Sequence, residues 1–83
     1  MINKTKKYLK NIAKTHSLTE TKQIIRELVE HPDLTEIEKW LIYYCYGENR
    51  MVVNTCRKLA ISESEYRLYH KMALLKLYYN YLV

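Results

Sequence analysis

Three times along this chain a Ser or Thr is followed three residues later by Glu: Ser17 and Glu20, Thr35 and Glu38, Ser62 and Glu65. In such a pair the hydroxyl accepts from a free N–H of the opening helical turn, and the carboxylate reaches back to the N–H of the capping residue. The carboxylate also places negative charge at the positive end of the helix dipole. Each pair opens a segment whose apolar residues recur at helical spacing, so the three together predict three helix starts. With one Gly, one Pro and no long alternating run, the 83 residues offer little from which to build a sheet. The expected fold class is all-α, four to five helices in a single helical domain over residues 1–83.

Spacing then outlines the helices. Residues 4–14 put Tyr8, Leu9, Ile12 and Ala13 on one side, and 18–30 gather Ile24, Ile25, Leu28 and Val29 into a narrow stripe. Pro32 closes that segment, because it disfavours helical geometry at His31. These N-terminal helices, residues 1–31, precede a second part over 34–83. There, 36–46 align Ile37, Trp40, Leu41, Tyr44 and Cys45, with Gly47 as the expected stop. Residues 51–59 align Val52, Thr55, Cys56 and Leu59. After the break Ala60-Ile61-Ser62, a long last helix is expected over about 63–80.

Charge is unevenly spread. Lys4, Lys6, Lys7, Lys10 and Lys14 give residues 1–14 a local +5, residues 15–48 carry −4, and residues 49–83 carry +4. Basic ends around an acidic middle fit a nucleic-acid binder with two positive patches, or a lysine-rich solvated surface. No glycine-rich phosphate loop, metal-ligand cluster or nucleophile-and-base grouping is present, so no enzyme, catalytic residue, metal or cofactor is expected. Cys45 and Cys56 lie on apolar stripes and read as inert packing in a reducing compartment. His70, on a basic and Tyr-rich helix, reads as a surface residue. No apolar run approaches the ~18 residues that cross a bilayer. The basic start lacks the apolar stretch of a secretory signal, so a cytoplasmic protein with no membrane partner is expected.

The segments 51–59 and 63–80, joined by three residues, have the spacing of a helix-turn-helix. Cys56 supplies the small residue where the helices cross, and Ile61 the apolar side chain that turns back to the core. Tyr66, Tyr69, Ala73, Leu74 and Leu77 form the expected buried set. Leu34 through Gly47, followed by Cys56 through Leu77, resembles the fourth region of bacterial sigma factors, and more closely the phage late-gene transcription regulators of the ArpU and RinA type. Ile61–Leu68 and Ala73–Leu77 carry most of that resemblance. It implies a sequence-specific DNA-binding regulator of a phage or mobile element, acting in a bacterial host cell on double-stranded DNA, with the last helix as a long recognition helix. Ser64, Arg67, Leu68 and Lys71 then occupy reading positions, and Arg57 and Lys58 meet phosphate. Ala60 stands where such turns often have Gly, and Glu63 brings negative charge towards the DNA.

The last helix has a second apolar stripe: Leu68, Met72, Leu75, Tyr79 and Leu82 recur at spacings of four, three, four and three. A helix apolar on most sides is normally buried. Residues 1–30 could cover the stripe, or it could form a homodimer. A third use is a sigma-like protein-binding module, engaging RNA polymerase or another regulator through that face.

Overall fold

The computed structural model describes all of residues 1–83 and contains five helices and no strands. The three Ser/Thr–Glu pairs all close as capping boxes. They open α2 (Leu18–Leu28), α3 (Glu36–Ile42) and α5 (Glu63–Leu77). At Ser62 the hydroxyl accepts from Glu65 N–H at 3.0 Å, and Glu65 Oε1 accepts from Ser62 N–H at 2.9 Å. The other two helices, α1 (Ile2–Thr15) and α4 (Val52–Leu59), start without a side-chain cap.

Two helices widen at their C-terminal ends. α3 continues into a π-helical turn, Tyr43–Gly47, and α5 into another, Tyr78–Leu82. Glu48 N–H donates to Tyr43 C=O at 3.0 Å across the first of these turns. The helix ends at Gly47, the expected stop, and the left-handed backbone that follows is at Asn49, φ 54°. Gly47 is needed for close approach: a Cβ there would stand 3.1 Å from the Tyr43 ring and 3.6 Å from Ile25.

The core draws on α1, α2, α3 and α5, with α4 packed at its edge through Cys56 and Leu59. Leu9 and Ile12 of α1 meet Ile25, Val29, Leu34, Leu41, Ile42, Tyr66, Ala73, Leu74 and Leu77 in one cluster. α1 runs antiparallel to α5. Thr5 Oγ1 donates to Leu74 C=O at 3.1 Å, and the Tyr79 hydroxyl donates to Met1 Sδ at 3.1 Å. The end of α5 is tied down as well, through the Tyr81 hydroxyl donating to Leu28 C=O at 3.0 Å.

The stripe expected on α3 is rotated. Glu38, Leu41 and Ile42 are buried and Cys45 packs against the core, while Trp40 is 44% exposed. Positions 38, 41, 42 and 45 are a regular helical stripe whose first member is an acid, which hides it from a search for apolar periodicity. Trp40 and Tyr44 stack on the outside, with ring centroids 5.5 Å apart. On α1, likewise, Tyr8 and Ala13 are exposed and Thr5 is buried in their place. The expected sets on α4 and α5 fare better: Thr55, Tyr66, Ala73, Leu74 and Leu77 are buried, Cys56, Leu59, Ile61 and Tyr69 pack at the edge of the core, and Val52 alone is exposed.

Candidate nucleic-acid interface

α4 and α5 meet at a tight turn. Ala60 adopts the left-handed conformation, φ 54° and ψ 46°. Ala60 N–H donates to Arg57 C=O at 3.3 Å and Ile61 N–H to Cys56 C=O at 3.1 Å, the two bonds of a Schellman cap. An alanine in this conformation costs about 1–2 kcal/mol, which a glycine avoids. The turn has therefore kept its geometry and carries strain at one residue.

Beyond the turn, Glu63, Ser64, Arg67, Leu68 and Lys71 are all exposed on the first turns of α5. Arg67 is 76% exposed, and its Nη2 donates to Glu63 Oε1 at 2.9 Å one turn earlier. A pair this open is screened by water and holds the guanidinium only weakly. Arg67, Lys71 and Leu74 stand at i, i+4 and i+7, one row along the helix. Leu74 is the point at which Thr5 of α1 crosses, so the Arg67–Lys71 row lies on the α1 side of α5.

The two residues at the end of α4 diverge. Lys58 Nζ sits 5.4 Å from the centroid of the Tyr44 ring, on the aromatic cluster of α3 and its π turn. Arg57 stays near the turn and borders a shallow hollow shared with Val52, Cys56, Ile61 and Glu63. Of this pair, Arg57 alone faces the approach to α5.

The basic N-terminal segment adds cations that spacing within α5 could not reveal. His70 lies beside Tyr46, with the hydroxyl 2.8 Å from Nε2, and its ring stacks on that of Tyr46. It is half-buried and not a free surface group, contrary to the sequence expectation. Burial, helped by the charges of Lys6 and Lys10, lowers its pKa to about 4, so the imidazole is neutral near pH 7. The geometric contact between α1 and α5 is at Thr5 and Leu74, one turn beyond His70. Burial also raises the thiol pKa of Cys45, whose Sγ is 2.9 Å from the Tyr66 hydroxyl, so the thiol stays protonated.

α1 carries five lysines and no acid, and none of the five ion pairs in the molecule involves them. Neighbours such as Lys6–Lys10 and Lys10–Lys14 repel at i, i+4, each pair costing roughly 0.2–0.5 kcal/mol. The helix also starts with no acid in its first turn. It is held by its buried side, not by its own charges.

The second apolar stripe is partly covered. Leu68, Met72 and Tyr79 are 58%, 42% and 60% exposed, whereas Leu75 and Leu82 are half-buried. α1 packs on the neighbouring flank of α5 and leaves Leu68 and Met72 uncovered. No helix is long and apolar enough to cross a membrane. No group of three or more His, Cys, Asp or Glu side chains is placed to hold a metal ion. In comparisons with known proteins, no family model, no curated protein and no solved structure matches the chain.

Proposed function

We propose that this protein is a sequence-specific DNA-binding transcriptional regulator of a phage or mobile element, with the first two turns of α5 entering the major groove. The observation that carries this reading is the shared basic flank. Arg67 and Lys71 are exposed in one row with Leu74, the residue at which α1 crosses, and α1 brings five lysines without an acidic partner to that side of the fold. With Arg57 at the preceding turn, Arg67 and Lys71 flank an exposed helix start, the arrangement in which a helix-turn-helix reads base edges and grips phosphate. Arg67 is the residue suited to a bidentate pair with guanine, worth about 1–3 kcal/mol of discrimination. Ser64 and Leu68 complete the reading face, and Leu68 offers apolar contact to a thymine methyl.

The test is selection of bound sequences from a randomised duplex pool, repeated with R67E/K71E. An enriched motif with the wild type, lost in the double variant, is the expected result. Motif enrichment that survives charge reversal moves the reading surface away from α5.

A second reading has its own support in the exposure of Leu68, Met72 and Tyr79. In that reading the sigma-like fold engages RNA polymerase or another regulator through this apolar ridge. Leu68 belongs to both surfaces, so the two uses exclude one another at that side chain. Affinity that drops steeply with salt belongs to phosphate neutralisation, whereas an apolar interface responds little.

A further inference from the structure

The outer face of α1 is a charged surface that groove reading by α5 leaves unused. All five lysines of α1, with Asn3 and Asn11, line one shallow trough along it, and Tyr8 is the sole hydrophobic side chain there. These lysines have no acidic partner in the fold, and the helix bears their mutual repulsion over its whole length. The helix that carries this face is seated on α5, through Thr5 at Leu74 and Met1 at Tyr79. One aromatic ring on such a face is little to insert into a lipid surface, whereas a row of ammonium groups matches a row of phosphates.

We propose that α1 is a second, sequence-independent DNA contact, in which Lys4, Lys7 and Lys14 follow the phosphates beside the groove that α5 enters. The proposal rests on the DNA-binding reading above and assigns that reading's second surface. A helix of 14 residues is about 21 Å long at 1.5 Å per residue. Successive phosphates of one strand advance about 3.4 Å along the duplex axis, so α1 spans enough of them for three separate contacts. Contacts of this kind orient the protein on the duplex and add affinity equally to every sequence.

The experiment is the salt dependence of duplex binding for the wild type, K4Q/K7Q/K14Q and the control K22Q/R26Q/K39Q. Both triple variants lose the same net charge, and circular dichroism checks that each remains helical. Each lost phosphate contact flattens the slope of log K against log salt by about 0.9, so the α1 variant is expected to lose about 2–3 of slope. The loss should be equal on random and selected duplexes, with the selected motif unchanged and the control slope at its wild-type value. K4R/K7R/K14R should keep the wild-type slope. An α1 variant with unchanged slope, or a control that falls as far, overturns the α1 contact and leaves base reading by α5 intact. A wild type that binds no duplex overturns both.

Discussion

Lys76 Nζ stands 2.7 Å from Glu38 Oε1, so the last turn of α5 is clamped to the first turn of α3 through a carboxylate that is 3% exposed as a residue. The same oxygen accepts from Thr35 N–H at 2.8 Å, which makes one atom serve both a helix cap and a contact between helices.

Removing the cation strands that carboxylate. K76M is expected to lose about 2–4 kcal/mol of stability, because an unpaired buried charge costs more than the pair contributes. E38Q retains a capping box, since Gln serves at that position too. The double variant E38Q/K76M should therefore be more stable than K76M alone. Urea unfolding of the four proteins gives the coupling, and additive losses would mean that the two groups do not interact.

Ala60→Gly relieves the left-handed backbone without altering any side-chain contact to DNA. The expected gain is about 0.5–1 kcal/mol, equivalent to a rise in Tm of a few degrees for a domain of this size. A fall in Tm would show that the turn has a different backbone in solution.

The neutral His70 makes stability depend on pH in a stated window. Its folded pKa, about 4, lies below the ordinary value of 6.5, so the unfolded chain binds the proton first. Stability is therefore at its full value above pH 6.5 and falls as the pH drops towards 4. His70→Gln should lose this part of the dependence while keeping the rest. Denaturant midpoints at pH 7, 5.5 and 4.5, wild type minus variant, isolate it.

Glu63 holds Arg67 in an open ion pair at the start of α5 and adds negative charge where phosphate would lie. Glu63→Gln should tighten duplex binding several-fold at low salt, with the advantage shrinking as salt is raised. Weaker binding by this variant would point to a carboxylate that itself contacts a base, in the way an acid accepts from cytosine.

The parts of this fold that follow from short-range chemistry were legible in the sequence. Ser17, Thr35 and Ser62 announce their helices because each cap and its Glu are three residues apart, and the turn at Ala60 follows from the two segments that flank it. What escaped was set by partners distant in the chain. Glu38 looks like a surface acid until Lys76 arrives from α5, and its burial turns the α3 stripe away from Trp40. Lys58 had the spacing of a phosphate contact, yet the Tyr44 ring draws it to another side. The α1 lysines were visible as charge, but that their helix is seated on α5 depends on a contact between Thr5 and Leu74 that no local pattern announces. Ser64, Arg67 and Leu68, the proposed reading positions, are exposed as the spacing led one to expect.

The antiparallel seating of α1 on α5 also orders events during synthesis. Thr5 waits for a carbonyl 69 positions later, and much of the apolar surface that α1 docks against is translated well after it. While the chain is still emerging, the lysine-rich helix has only part of its docking surface, and its own charges oppose its formation. A nascent chain arrested before Leu74 should therefore expose α1 to proteases, and one that has released residues 74–83 should protect it.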